Sequence, residues 1–181
     1  MSTLAVRQQL VEIARRDVGK TEQTTNRAPW IQRMWEATNA QSLYSVTNPA
    51  YRGRPPYCAA AVCYWVREWL LKKEVLDALK MTPAQADRWR CKSPAAFGWI
   101  DWARKTGLTV LDDNPKHRLR VGDLFVFDVS HIGIVKDDDD ANNVWTIEAN
   151  TGNGSVRDGD GCFVRVRPRS AARAFIRLIE P

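Results

Sequence analysis

The sequence predicts an α+β fold with N-terminal helices packed on a C-terminal antiparallel β-sheet. Two observations carry that expectation. Up to Gly107 apolar residues recur at near-helical spacing and prolines stand where helices start, whereas after Pro115 the period shortens to that of strands. The strand-like runs then follow one another without helical patterns between them, which favours antiparallel pairing. No internal repeat or low-complexity linker interrupts the 181 residues, so residues 1–181 are read as one domain. That length buries a core without help from metal or disulfides.

In chain order, Leu4, Leu10, Val11, Ala14 and Val18 place a helix over residues 3–18, ending at Gly19. Residues 19–26 are polar and read as a loop. Pro29 opens a short helix carrying Trp30, Ile31, Met34 and Trp35. Residues 39–56 are rich in Asn, Ser, Pro, Gly, Tyr and Arg, the composition of irregular segments that rim binding sites. A buried helix follows Pro55-Pro56, from Cys58 to about Leu71, and charge-rich sequence continues to Lys80. Thr82-Pro83 reads as N-cap and first position of a helix reaching Trp89, and Ser93-Pro94 repeats the device for a helix closed by Gly107. Strands are expected at Leu124–Asp128, Ile132–Val135, Val144–Asn150 and Cys162–Val166, with Ala174–Ile179 fitting a fifth strand or a helix. Asp137 to Asn143 reads as a solvated turn, since it lacks the glycine and distal glutamate of a calcium loop.

Composition narrows the function. A hydrophobic content of 44% and eight tryptophans describe a folded protein. The net charge of +6 and pI of about 9.4 favour an anionic partner. No Lys/Arg run is interleaved with aromatics, so nucleic acid is disfavoured. The N-terminus lacks the apolar stretch of a signal peptide, and no run reaches membrane-spanning length. Synthesis in the cytosol without membrane insertion is expected. The four cysteines show no CxxC pair or zinc-like spacing and read as mainly free thiols.

Chemistry concentrates in three places. Cys58 stands at a helix start, where unpaired N–H groups and the positive end of the helix dipole favour a thiolate. Of the two histidines, His117 lies in a basic loop and reads as surface. His131 opens Ser-His-Ile-Gly-Ile-Val, where alternation groups it with Gly133 and Val135 and sets Ile132 and Ile134 opposite. In Trp-Thr-Ile-Glu-Ala-Asn, Glu148 and Asn150 share a face. A hairpin turning near Asp139 sets His131 opposite Glu148 or Asn150, with opposed side chains about 5 Å apart. A nucleophile, a base and an orienting acid or amide are what a cysteine hydrolase requires. A metal site is less favoured, because a third ligand beyond His131 and Glu148 is not evident.

Tyr-Cys-Ala-Ala-Ala-Val, Val-Gly-Asp-Leu-Phe-Val-Phe, Ser-His-Ile-Gly-Ile-Val and Ile-Glu-Ala-Asn-Thr-Gly resemble the successive motifs of CHAP-type amidohydrolases. These belong to the NlpC/P60-like, papain-related cysteine enzymes that cleave peptidoglycan. Ala-Arg-Arg-Asp-Val-Gly-Lys-Thr-Glu resembles their opening helix, and the matches span residues 10–167. The resemblance implies a papain-like fold with Cys58 as nucleophile, His131 as base and Glu148, or Asn150 in its stead, as third member. It implies hydrolysis of an amide bond in the wall peptide, as an endopeptidase or amidase. Tyr57, Tyr51 and Trp30 are candidate substrate-binding residues. The expected partners are peptidoglycan and, if the protein is an interbacterial effector and not a phage lysin or housekeeping enzyme, an inhibitory immunity protein. No cofactor or metal is expected, and the chain is expected to act as a monomer on the wall after export or lysis. The competing expectations are a non-catalytic wall-binding or phage-structural module, and a cysteine deamidase or protease toxin.

Overall fold

Helix α3 is the axis of the structure. The computed structural model describes residues 2–41, 55–137, 142–152 and 159–180. The elements run α1 (Thr3–Arg15), α2 (Pro29–Trp35), α3 (Cys58–Leu70), α4 (Lys73–Leu79), α5 (Pro83–Trp89), α6 (Ala96–Lys105), then β1 (Thr109–Leu111), β2 (Leu124–Phe127), β3 (Ile132–Val135), β4 (Asn143–Thr151), β5 (Gly161–Pro168) and β6 (Ala172–Arg177). Ten of the thirteen residues of α3 are buried, and it packs on α1, α2, β3 and β4. Helices therefore precede an antiparallel sheet of order β1-β6-β2-β3-β4-β5.

Local chemistry accounts for most boundaries. Ser2 caps α1 by accepting from the Ala5 N–H, and Gly19, at φ +87, turns the chain after it. Pro29 starts α2, and Thr82 with Gln85 forms a capping box on α5, as expected. Three boundaries differ. The helix after Ser93-Pro94 begins only at Ala96, because Ser93 Oγ accepts from the Ala95 N–H at 3.2 Å and makes a turn instead of a cap. The charge-rich stretch before Lys80 contains α4, which buries only Val75, and the three-residue strand β1 precedes Pro115. The last segment is a strand. Positions 138–141 of the acidic turn lie outside the described residues.

Each sheet face has its own core. Leu124, Val126, Ile132, Ile134, Ile147, Ala149, Ala174 and Ile176 join the helices in the larger core. Phe125, Phe127, Val135, Val144 and Phe175 form a second cluster on the other face. Alternation thus divides β3 as the sequence predicts. A buried carboxylate ties the helices together: Asp17 accepts from Trp65 Nε1 at 2.8 Å, from Lys20 Nζ at 2.6 Å and from the Arg33 guanidinium. All four cysteines are free and buried.

Candidate active site

Cys58 is the first residue of α3, and the first helical bond runs from the Ala61 N–H to the Tyr57 carbonyl at 2.8 Å. Geometry leaves the N–H groups of the first turn without intrahelical acceptors, and Tyr57 supplies no side-chain cap. The positive end of the helix dipole therefore lies at the sulfur. Cys58 is 4% exposed and lines a cleft of about 300 Å³ together with Trp35, Pro55, Pro94, Ala95 and Ser130.

His131 is fully buried at the β2–β3 turn, where its N–H donates to the Val129 carbonyl at 2.6 Å and its carbonyl accepts from the Phe127 N–H at 3.0 Å. Its ring packs on Phe127 with centroids 5.0 Å apart. Nε2 lies 2.9 Å from Glu148 Oε2. Gly133 pairs with Glu148 across the β3–β4 ladder, so the carboxylate rises on the face of the second cluster, the side of Val135 and Val144.

The electrostatics link the three groups. Burial disfavours a charged imidazole and is the largest influence on His131, yet hydrogen bonding with Cys58 and Glu148, reinforced by their charges, lifts its pKa to about 9. Nδ1 makes no closed hydrogen bond, and with Nε2 committed to Glu148 it is the nitrogen left to interact with Cys58. Burial likewise pushes Glu148 up, but hydrogen bonds from Arg167 and His131, with their charges, hold it down at about 2. Four donors surround this carboxylate. Arg167 Nε and the Thr146 hydroxyl reach Oε1 at 2.8 Å and 2.5 Å, while an Arg167 terminal nitrogen and His131 reach Oε2 at 2.8 Å and 2.9 Å.

Cys58, His131 and Glu148 thus come together, while the other sequence candidates do not join them. Asn150 is buried at the β4 bulge with φ +58, and neither atom of its amide has a partner among the described residues, so it is not seen to hold the ring. Its left-handed backbone, which asparagine tolerates, breaks the alternation that grouped it with Glu148. Tyr57 is a core residue and not a cleft residue: it is 0% exposed and packs edge-on against Trp30 at 5.5 Å. Trp30 is half-buried against the core, donates from Nε1 to the Thr21 carbonyl and does not line the cleft among the described residues. Tyr51 lies outside the described residues.

Sequence reasoning missed Arg167 and Thr146. Thr146 was legible two residues before Glu148 on the same face, but Arg167 required the β4–β5 register, which a bulge between Ala149 and Thr151 shifts. Among the described residues no cluster of three or more His, Cys, Asp or Glu is arranged to hold a metal ion, and no helix is long and apolar enough to cross a membrane. No family model matches the chain, and no curated protein matches it.

Proposed function

We propose that this chain is a papain-like cysteine hydrolase of the CHAP and NlpC/P60 kind that cleaves an amide bond in peptidoglycan. The observation that carries the reading is the buried series from Cys58 through His131 to Glu148, opening at a cleft. The protonated ring pairs with the sulfur as a thiolate, and the thiolate attacks the amide carbonyl. His131 passes its Nδ1 proton to the leaving amine, and the neutral ring then takes a proton from the water that hydrolyses the acyl-enzyme. Glu148 holds the proton on Nε2 and takes none itself. The free N–H groups of the first turn of α3 supply hydrogen bonds to the developing oxyanion. The net charge of +6 draws the enzyme to an anionic wall, an attraction that weakens with salt. The protein acts as a monomer after reaching the wall by export or lysis, and an immunity protein is the partner expected for an effector.

The test is digestion of purified peptidoglycan with mass spectrometry of the products. Wild type releases new amine and carboxyl termini, and Cys58→Ala releases none while melting at the same temperature. Equal digestion by Cys58→Ala overturns the nucleophile assignment, and ammonia release without new amine termini indicates a deamidase instead.

A further inference from the structure

We propose that Arg167 is a positioning residue: by occupying two of the four acceptor sites of Glu148, it makes this carboxylate an acceptor-only anchor for the His131 ring. The inference rests on the reading of Cys58 and His131 as nucleophile and base. An ionised carboxylate offers about four lone-pair sites. Here all four are filled, two by the Arg167 fork at 2.8 Å each, one by Thr146 and one by His131. A proton placed on Oε2 would oppose hydrogens already pointing there, and one on Oε1 would require the Thr146 hydroxyl to turn to the Arg165 carbonyl, 3.4 Å away. Glu148 therefore orients the ring while the donors around it favour its ionised form, and Nδ1 is the nitrogen left for the sulfur.

The fork is itself fixed. The Arg167 terminal nitrogen that meets Oε2 also donates to Thr151 Oγ1 at 3.0 Å. The guanidinium lies 5.7 Å from the centre of the Phe127 ring, the same ring that supports His131. The Arg167 side chain is 13% exposed. The titratable and charged groups facing Glu148 are His131 from the β2–β3 turn and Arg167 and Cys162 from β5, with Cys58 of α3 acting through the ring.

Saturation has an unusual corollary. Glutamine at position 148 would bring an amide hydrogen against one of the existing donors, so Glu148→Gln is not conservative while Arg167 is present. Removing the fork together with the charge should relieve that conflict.

Three readouts separate positioning from mere support: alkylation of Cys58 by iodoacetamide followed by peptide mass spectrometry, ring-nitrogen NMR of a chain with only two histidines, and hydrolysis of a soluble muropeptide. Arg167→Met should slow Cys58 alkylation near neutral pH by roughly 10- to 100-fold and lower kcat by a similar factor with KM kept. It should also change the His131 tautomer signal. Arg167→Lys keeps the charge but not the fork and should fall between wild type and Arg167→Met. Glu148→Gln combined with Arg167→Met should alkylate faster than Glu148→Gln alone. Wild-type alkylation and ring spectra in folded Arg167→Met overturn the proposal, as does a double variant no faster than Glu148→Gln. If Arg167→Met does not fold, Arg167→Lys decides: wild-type behaviour there overturns it. If the alkylation pattern holds but wild type cuts no muropeptide, the positioning role stands and the peptidoglycan reading fails.

Discussion

Gly133 stands directly across the β3–β4 ladder from Glu148, and a Cβ built on it would lie 2.7 Å from Glu148 Cγ and 2.9 Å from the Ile147 carbonyl oxygen. The space that holds the carboxylate is therefore the space a side chain at position 133 would fill. Gly133→Ala should displace Glu148 from His131 and destabilise the protein by about 1–3 kcal/mol, as overpacked cores do. A domain of this size should lose several degrees in Tm, and muropeptide hydrolysis should fall at least as steeply as in Glu148→Ala. An unchanged melting temperature with full activity would show that the ladder yields locally.

Glu148 and Asn150 should differ sharply on substitution. Glu148→Ala removes the carboxylate that holds Nε2 of the buried His131 ring and should lower kcat by roughly 100-fold or more. Asn150→Gly keeps a backbone that favours φ +58 and removes an amide with no partner among the described residues, so rate and stability should stay near wild type. Muropeptide kinetics and thermal melts of the two variants check both outcomes.

Stability should respond to pH at both ends. The folded pKa of His131 is raised to about 9 from an ordinary 6.5, so its contribution is complete below that ordinary value and is lost as pH rises through about 9. Glu148 is depressed to about 2 from 4.5, so its contribution is complete above 4.5 and is lost as pH falls through about 2. Denaturant titrations of wild type and His131→Asn across pH should show the two curves converging on the alkaline side. Hydrolysis should fail in the same alkaline range as the ring loses its proton.

Asp17 joins α1, α2 and α3 without touching the candidate site. Its carboxylate is 1% exposed, whereas the Lys20 and Arg33 side chains that reach it are more than a third exposed. Asp17→Asn should cost about 1.5–3 kcal/mol, the range for hydrogen bonds to charged groups, with kcat retained. Denaturant unfolding beside muropeptide kinetics measures both.

Much of this molecule was legible because proline and period are strong local signals. Pro29 and Pro83 mark α2 and α5, Pro55-Pro56 precede α3, and period-two alternation sorts Ile132 and Ile134 from Gly133 and Val135. Helix α4 escaped because its charged face hides a single buried apolar residue, Val75. Tyr57 misled for a different reason. Adjacency to the sulfur suggests a cleft, but an N-cap residue is free to turn inward, and its ring fills the core against Trp30. The nearness of Cys58, His131 and one of Glu148 or Asn150 was legible because helix start and hairpin spacing are local properties. The choice between the last two turned on the Asn150 backbone and on a register that sets Gly133 across from Glu148. Arg167 was not legible, since its meeting with Glu148 depends on a bulge and on the pairing of a further strand.

Strand β6 follows the other described strands in sequence yet sits inside the sheet, paired with β1 on one side and β2 on the other. A ribosome that has not yet released Ala172–Arg177 holds a chain in which β2 has a bare edge and Phe125 and Phe127 lack Phe175. Closing the sheet on both sides of this strand joins residues far apart in the chain, and long-range closure of this kind makes for slow folding.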